Sequence, residues 1–392
     1  MNFQNFNEDN FLILGDSGSG KSFLLKKLIK EKIENRNFKD LIIFMDNTVP
    51  QFRTKLPKYY NDLLINKNKG IFPFILPKNT EEFDQLFIKY FTYLMQMITL
   101  YFKKNLTKNF IEEKLKHIFK NKRKTNIEEI LKYLNINEQH LILSEIFNKE
   151  EEDDIQIKEN KCLIYINNIK IDKLHFIDKN NYLSAIYVFG QIIELLRISI
   201  ENKRKPFLYI DEIQEYIESL KCNEKFAVLK NETIDLIYKI LFLLEGKLGI
   251  SMFSSDDNNL KFIYNKNKNI IFGRINKNFI KNNNLLDDKI IKTISKLKFL
   301  SPEEGMEYFY INKTIDNNIK YFEKFIYKAN KLEYILFTSN LQDLETYNLF
   351  EKIISHDKTL IILESILFDI SFDKDIKTEN DLLKYLENKY KN

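Results

Sequence analysis

Residues 11–29 read FLILGDSGSGKSFLLKKLI and hold three of the nine glycines in this 392-residue chain. They follow the pattern G-x-x-x-x-G-K-[S/T], with Gly15, Gly20, Lys21 and Ser22 at the fixed positions. An apolar run precedes the pattern and apolar residues at helical spacing follow it, which predicts a strand, a glycine-rich loop and a helix. In that context the pattern is typical of a phosphate-binding loop.

The loop would bind phosphate mainly through its backbone. Glycines let successive N–H groups converge on an anion, and the following helix points its positive end at the same place. We expect Lys21 to reach the β- and γ-phosphates of a nucleotide and the Ser22 hydroxyl to bind Mg²⁺. The alternative is a flexible strand–helix turn with an incidental Lys-Ser pair. The predicted nucleotide-binding residues are Gly15, Asp16, Ser17, Gly18, Ser19, Gly20, Lys21, Ser22 and Phe23.

Composition narrows the class of protein. Apolar residues make up 44% of the chain, and 33 Phe and 21 Tyr with no Trp predict an aromatic core. The net charge of +5 permits contact with nucleic acid without arguing for it. Cys162 and Cys222 lack zinc or redox spacing and fit a reducing cytoplasm. We find no signal-peptide pattern and no apolar run near the ~18 residues of a membrane span. The prediction is a soluble cytoplasmic protein that meets a membrane only through partners.

Short apolar runs alternate with long helical patterns along the chain. The runs at 11–15, 41–45, 162–166, 207–210, 250–254 and 270–273 lack polar alternation, as expected of a parallel sheet covered on both faces. Helical patterns cover 81–103, 181–202 and 231–245. This order predicts an α/β sandwich with a mostly parallel central sheet.

The same pass along the chain predicts its domain organisation. Residues 1–103 and 161–370 are expected to form the two parts of one core, the second with closing helices, and 371–392 a C-terminal helix. Residues 104–160 are expected to form an inserted all-helical subdomain whose acidic run at 149–155 is a solvated loop. After residue 285 the pattern predicts mostly helix.

A second motif lies in FLYIDEIQEY, residues 207–216. An acidic residue at the end of a buried strand lies at the carboxyl edge of the sheet, where ligands of α/β proteins bind. We expect Asp211 to hold Mg²⁺ through water and Glu212 to act as the general base towards the attacking water. The alternative is that the Asp-Glu pair only caps the next helix.

Two further candidates follow other strands. The stretch LGISMFSSDDNNL, residues 248–260, offers Ser254, Ser255 and Asp256 as a sensor of the γ-phosphate, or a plain exit from the strand. Arg274 follows the run at 270–273 and is a candidate catalytic arginine finger for a neighbouring subunit's nucleotide, or an ordinary surface residue. Arg197 and Arg204 are weaker candidates.

Together these stretches resemble the RecA-fold motor ATPases of the FtsK/HerA superfamily, and most closely the carboxyl-terminal ATPase domain of type IV secretion and conjugation ATPases (the VirB/TraC class). Weaker likenesses support this: LIIFMDN at 41–47, KGIFPFILPKNTEEFDQL at 69–86, CLIYINNIKIDK with SAIYVFGQIIELL at 162–196, and the closing stretch at 333–366. The likeness covers most of residues 10–370.

The chain also departs from that family. Its members carry a large amino-terminal domain that docks on the secretion channel, whereas the phosphate loop here begins at residue 15. The family's Thr-Gln after the sensor strand is replaced around Ser255 and Asp256, and its basic residues before that strand read EGK at 245–247.

The resemblance implies an α/β RecA-like P-loop NTPase that binds ATP with Mg²⁺ and hydrolyses it. Three functions stay open. The first is a hexameric motor that moves protein or DNA through an envelope channel, with secretion or conjugation channel proteins as partners. The second is a DNA-translocating or genome-packaging ATPase of the same superfamily, and the third is a nucleotide-dependent assembly module with little hydrolysis.

Overall fold

The structure is a computed structural model of the chain. It describes residues 9–16, 18–46, 64–65, 74–78, 80–136, 143, 146–147, 157–158, 160–167, 182–213, 224–253, 258–275, 286, 288–298, 306–314 and 317–327. Ser17, the proposed sensor residues 254–256 and all of 328–392 lie outside the described residues, and so do the closing stretch and the C-terminal helix expected there.

The described residues form an eight-stranded sheet. The strands are β1 (Phe11–Gly15), β2 (Asp40–Asp46), β3 (Leu163–Asn167), β4 (Lys205–Asp211), β5 (Lys247–Phe253), β6 (Asn269–Phe272), β7 (Met306–Lys313) and β8 (Ile319–Tyr327). Their order is β3-β2-β4-β5-β1-β6-β7-β8. The first six strands are parallel, and β7 and β8 are antiparallel to their neighbours.

Helices cover the sheet. They are α1 (Lys21–Glu34), α2 (Asp84–Tyr101, after a 3-10 turn at Glu81–Phe83), α3 (Lys108–Lys120), α4 (Ile127–Tyr133), α5 (Tyr182–Glu201), α6 (Glu224–Leu243), α7 (Asn258–Lys266) and α8 (Asp288–Ile294). The predicted α/β sandwich with a mostly parallel sheet is therefore confirmed. The six predicted strands are all present within a few residues of their expected bounds, and β4 begins two residues earlier than predicted and includes Pro206.

Alternate residues of the strands point to opposite faces and build two cores. On one face Leu12 and Ile43 join a large cluster with α2, α5 and α6. On the other face Ile13 and Ile42 pack with α1 in a smaller cluster. Since both faces are covered, the central strands are apolar throughout, which explains the uninterrupted apolar runs of the sequence.

Helices α3 and α4 lie in the range expected to form an inserted subdomain. Their buried residues, including Ile111, Leu115 and Ile130, belong to the same large cluster as the sheet and α2. Arg123, between the two helices, pairs with Asp84 at the start of α2, with a nitrogen–oxygen distance of 2.6 Å. The division of the chain into domains stays a prediction.

Helix α5 is long and apolar enough to cross a membrane by length and composition alone, despite the expectation that no such stretch exists. Its 18-residue apolar window is 100% buried inside the protein. Its hydrophobicity therefore matches its place between the sheet and the neighbouring helices, as in the core helix of a globular domain.

The expectation of mostly helix after residue 285 is wrong for 306–327. This segment forms the hairpin of β7 and β8. In β8 the apolar residues Ile319, Phe322 and Phe325 recur every three residues, which imitates helical spacing, while β7 is apolar on both faces and lacks a clear period of two. Helix α8 is the helical element that the structure describes in this part of the chain.

Candidate nucleotide-binding site

The phosphate loop connects β1 to α1 and turns through two glycines with left-handed backbone. Gly18 has φ +71° and Gly20, the residue that caps α1, has φ +80°. A side chain would be strained in either conformation. The Ser19 amide donates to the Asp16 carbonyl at 3.1 Å, which closes the turn. The loop therefore presents the amino end of a 14-residue helix to the edge of the sheet.

Two contacts join this loop to the end of β4, across a separation of about 190 residues in sequence. The Ser22 hydroxyl donates to Asp211 Oδ1 at 3.0 Å. The Lys21 ammonium lies 3.7 Å from Glu212 Oε1 and also donates to the Asp16 carbonyl at 3.1 Å. The strand order explains the meeting, because only β5 separates β1 from β4 and all three end at the same edge.

Asp211 is fully buried, with 0% of its side chain exposed. Burial raises its pKa from 3.8 to about 6; Lys26 opposes this shift, Asp46 and Glu212 reinforce it, and a hydrogen bond from Ser251 opposes it. Above pH 6 the carboxylate is thus ionised in a place that resists negative charge. Such a group favours a bound cation.

Lys26 and Asp46 form a buried pair beneath the loop. The Lys26 ammonium, one turn after Ser22 in α1, lies 3.8 Å from Asp46 Oδ2. Asp46 ends β2 directly opposite Asp211 in the β2–β4 register and accepts from the Tyr165 hydroxyl at 3.3 Å. Both side chains are at most 6% exposed. In the sequence, Asp46 stands out only as part of the stretch LIIFMDN that carries the family resemblance. Lys26 was not predicted, because nothing local distinguishes Lys26 from the neighbouring lysines.

Ser251 of β5 holds the Asp-Glu pair in position and was also missed. Its hydroxyl donates to Asp211 Oδ1 and accepts from the Glu212 amide, the second contact at 3.2 Å. Glu212 has φ +51°, a left-handed backbone that is uncommon outside glycine. The bond from its amide to Ser251 stabilises that conformation and directs the Glu212 side chain towards Lys21. A polar residue inside an otherwise apolar strand was the available signal.

The remaining predicted residues take different places. Phe23 is buried in the core beside α1, so only its backbone could face a nucleotide. Arg274 is exposed, and its carbonyl accepts from the Asp16 amide at 2.9 Å, so it directly flanks the chain's own phosphate loop. Arg197 pairs with Glu201 inside α5 at 2.6 Å, and Arg204 donates to the Lys158 carbonyl at 3.2 Å.

The residues present fit a phosphate group and a magnesium ion. Two buried side-chain oxygens of the site, Ser19 Oγ and Asp211 Oδ2, have no hydrogen-bond partner among the residues that the structure describes. Buried oxygens normally bind a protein group, a water molecule or an ion, so these two are available to a ligand at this site. A hydroxyl and a carboxylate, at Ser22 and Asp211, are the hard oxygen donors that Mg²⁺ prefers.

Comparisons with known proteins agree with the fold. VirB4 of Thermoanaerobacter pseudethanolicus superposes with a TM-score of 0.53 at 14% identity, covering 83% of this chain and 90% of that one. The bacterial conjugative coupling protein TrwBΔN70 gives 0.45 at 11% identity, with 84% and 88% covered. The genome packaging NTPase B204 from Sulfolobus turreted icosahedral virus 2, in complex with ATPγS, gives 0.34 at 12%, with 83% and 98% covered. No protein-family model matches the sequence, and no curated protein does.

The fold and the phosphate loop are those of a RecA-like P-loop NTPase, as the sequence predicts. The likeness to VirB4 shows this fold.

Proposed function

We propose that the protein binds and hydrolyses ATP with Mg²⁺. The observation that carries the proposal is the convergence of Lys21 and Ser22 with Asp211 and Glu212 at one edge of the sheet. A phosphate loop alone would only bind a nucleotide. The acidic pair adds a metal-binding carboxylate and a base within reach of the same place, which is the set of groups that phosphoryl transfer to water requires.

Each side chain has a separate role in this chemistry. Backbone amides of the loop and the Lys21 ammonium bind the phosphates. Ser22 and Asp211 would hold Mg²⁺, Asp211 through water, and the ion would supply positive charge to the phosphate groups. Glu212 accepts the proton of the water that attacks the γ-phosphorus; the bond to the β–γ bridging oxygen breaks, and ADP and phosphate leave. Arg274, exposed at the loop, is proposed to stabilise the charge that develops in the transition state at the nucleotide of a neighbouring subunit.

We further propose that this ATPase works as a motor of the secretion or conjugation kind. The fold shared with VirB4 supports that class of machine, in which a ring of subunits, a hexamer by resemblance, moves protein or DNA through an envelope channel. The partners are then channel proteins, and the place of action is the cytoplasm at the inner face of the membrane. The sequence resemblance supports these finer assignments.

The first test is ATP turnover of the wild type against Glu212→Gln. We expect the variant to bind ATP within about threefold of the wild type and to lose at least about 100-fold in turnover, because the water loses its base. Glu245→Gln is a matched control. Glu245 also has a left-handed backbone, φ +52°, and pairs with Lys205 at 3.9 Å, but it precedes β5 at the opposite edge of the sheet.

The outcomes separate the three functions. Stimulation of turnover by added DNA would favour translocation of nucleic acid over protein transport. ATP binding with no turnover above that of Glu212→Gln would refute hydrolysis and leave an assembly module. A wild type that fails to bind ATP would refute the proposal as a whole, and loss of turnover in Glu245→Gln would remove the assignment of Glu212 as the base.

A further inference from the structure

The hairpin of β7 and β8 reaches the phosphate loop, although neither strand belongs to a nucleotide-binding motif. Because β7 runs antiparallel to β6, its first residues lie at the edge where the parallel strands end. The Tyr308 hydroxyl donates to the Gly20 carbonyl at 3.0 Å. A Cβ built at Gly20 would lie 2.6 Å from that hydroxyl and against Met306 Sδ. The hairpin thus touches the residue that caps α1 from the side where a side chain would be.

The hydrogen bond to the Gly20 carbonyl also affects the direction of the Lys21 amide. A trans peptide unit is planar, so the carbonyl of Gly20 and the N–H of Lys21 point in opposite directions within one rigid plane. The Gly20 carbonyl also accepts from the Leu24 amide at 2.9 Å, which is the first hydrogen bond of the helix. Tyr308 is its second donor, and the two bonds together set the direction of the Lys21 N–H. The amides at the amino end of a helix are the groups that bind an anion there.

Tyr308 is itself held firmly. It is buried, with 0% of its side chain exposed, and its ring stacks on Phe325 of β8 with centroids 5.4 Å apart and planes inclined by 24°. Its hydroxyl also lies 3.3 Å from Met306 Sδ, but a carbonyl oxygen is the better acceptor for its single proton. The hydroxyl therefore acts as a fixed point against which the loop is set.

We propose that Tyr308 is a positioning residue that pre-organises the phosphate loop for nucleotide binding. The inference rests on the proposed ATPase function and adds to it a group from outside the two motifs. Its action is on binding: an amide held in the direction of the phosphate costs less to order when the nucleotide arrives. It contacts no reacting atom, so the chemical step at saturating ATP does not depend on it.

The test compares Tyr308→Phe with Tyr310→Phe. Tyr310 is two residues along β7 on the same face, and its hydroxyl donates to Asn269 Oδ1 at 2.7 Å, at the other end of β6. Each variant keeps its ring and loses the hydroxyl that makes the contact described. We expect Tyr308→Phe to bind both ATP and ADP about three- to tenfold more weakly, the range that one hydrogen bond accounts for, with kcat within about twofold of wild type. Tyr310→Phe should change neither affinity by more than about twofold.

Amide hydrogen exchange without nucleotide gives an independent readout. In Tyr308→Phe, exchange should accelerate in the peptide that contains the loop and the first turn of α1, and Tyr310→Phe should leave that peptide unchanged. Equal affinities in the two variants, or a fall in kcat with unchanged KM, would overturn the inference while the ATPase proposal stands. A wild type without ATP binding would overturn both.

Discussion

Replacing Asp211 with Asn should make the protein more stable at pH 8 while removing the proposed ATPase activity. The reason is the charge of the cluster around it. Two ammonium groups face three carboxylates: Lys21 and Lys26 against Asp46, Asp211 and Glu212. Neutralising Asp211 leaves two charges of each sign. The amide is close in shape to the carboxylate and can exchange hydrogen bonds with the hydroxyls of the site.

The size and pH dependence follow from the pKa of Asp211, which is about 6 in the folded protein against an ordinary 3.8. Between those values the folded protein binds a proton that the unfolded chain has lost, so stability falls as pH rises through this window. Above pH 6 the shift of about two pKa units corresponds to a penalty of about 3 kcal/mol. Asp211→Asn should recover up to about that much at pH 8 and only about 0.5 kcal/mol at pH 4.

Urea unfolding of the wild type and the variant at both pH values measures this difference. Asp46→Asn is the matched control, because it removes the same charge from the paired position of β2 but also deprives Lys26 of the carboxylate 3.8 Å away. We expect it to lower stability at pH 8. A variant Asp211→Asn that is less stable than wild type at pH 8 would contradict the charge imbalance. So would an equal change in the free energy of unfolding at the two pH values. Its ATP turnover should fall at least about 100-fold, since the carboxylate that would hold Mg²⁺ through water is lost.

Two further predictions concern the supports of the site. Ser251→Ala should lower the free energy of unfolding by about 2–4 kcal/mol, because it removes the acceptor of the Glu212 amide and a donor to Asp211, and turnover should fall at least about tenfold. Ser251→Thr keeps the hydroxyl and should retain most of the stability in urea unfolding and most of the ATP turnover. Losses equal to those of Ser251→Ala would contradict the hydrogen-bonding role. Gly18→Ala and Gly20→Ala should each lose about 1 kcal/mol to left-handed strain. Gly20→Ala should be the less stable of the two, because a Cβ at Gly20 would meet Met306 whereas nothing lies within 4 Å of a Cβ at Gly18. Equal urea-unfolding midpoints of the two variants would argue against that contact.

The elements whose signals are local were predictable from the sequence alone. The loop motif, with a strand before it and a helix after it, predicted the phosphate loop at Gly20 and Lys21. The apolar run before Asp211 placed that carboxylate at the end of a strand. Both readings depend only on residues next to one another along the chain. For that reason the six parallel strands and the principal helices were also recognisable.

Which of these elements meet in space was not predictable from local signals. Strand order is a property of long-range pairing, and the insertion of β5 between β1 and β4 brings Lys21 within 3.7 Å of Glu212. The antiparallel direction of β7, hidden by helix-like spacing in its partner β8, carries Tyr308 to the loop. Ser251 acquires its role in the same way, because a serine in an apolar strand becomes a support only when the neighbouring strand presents a buried carboxylate to it.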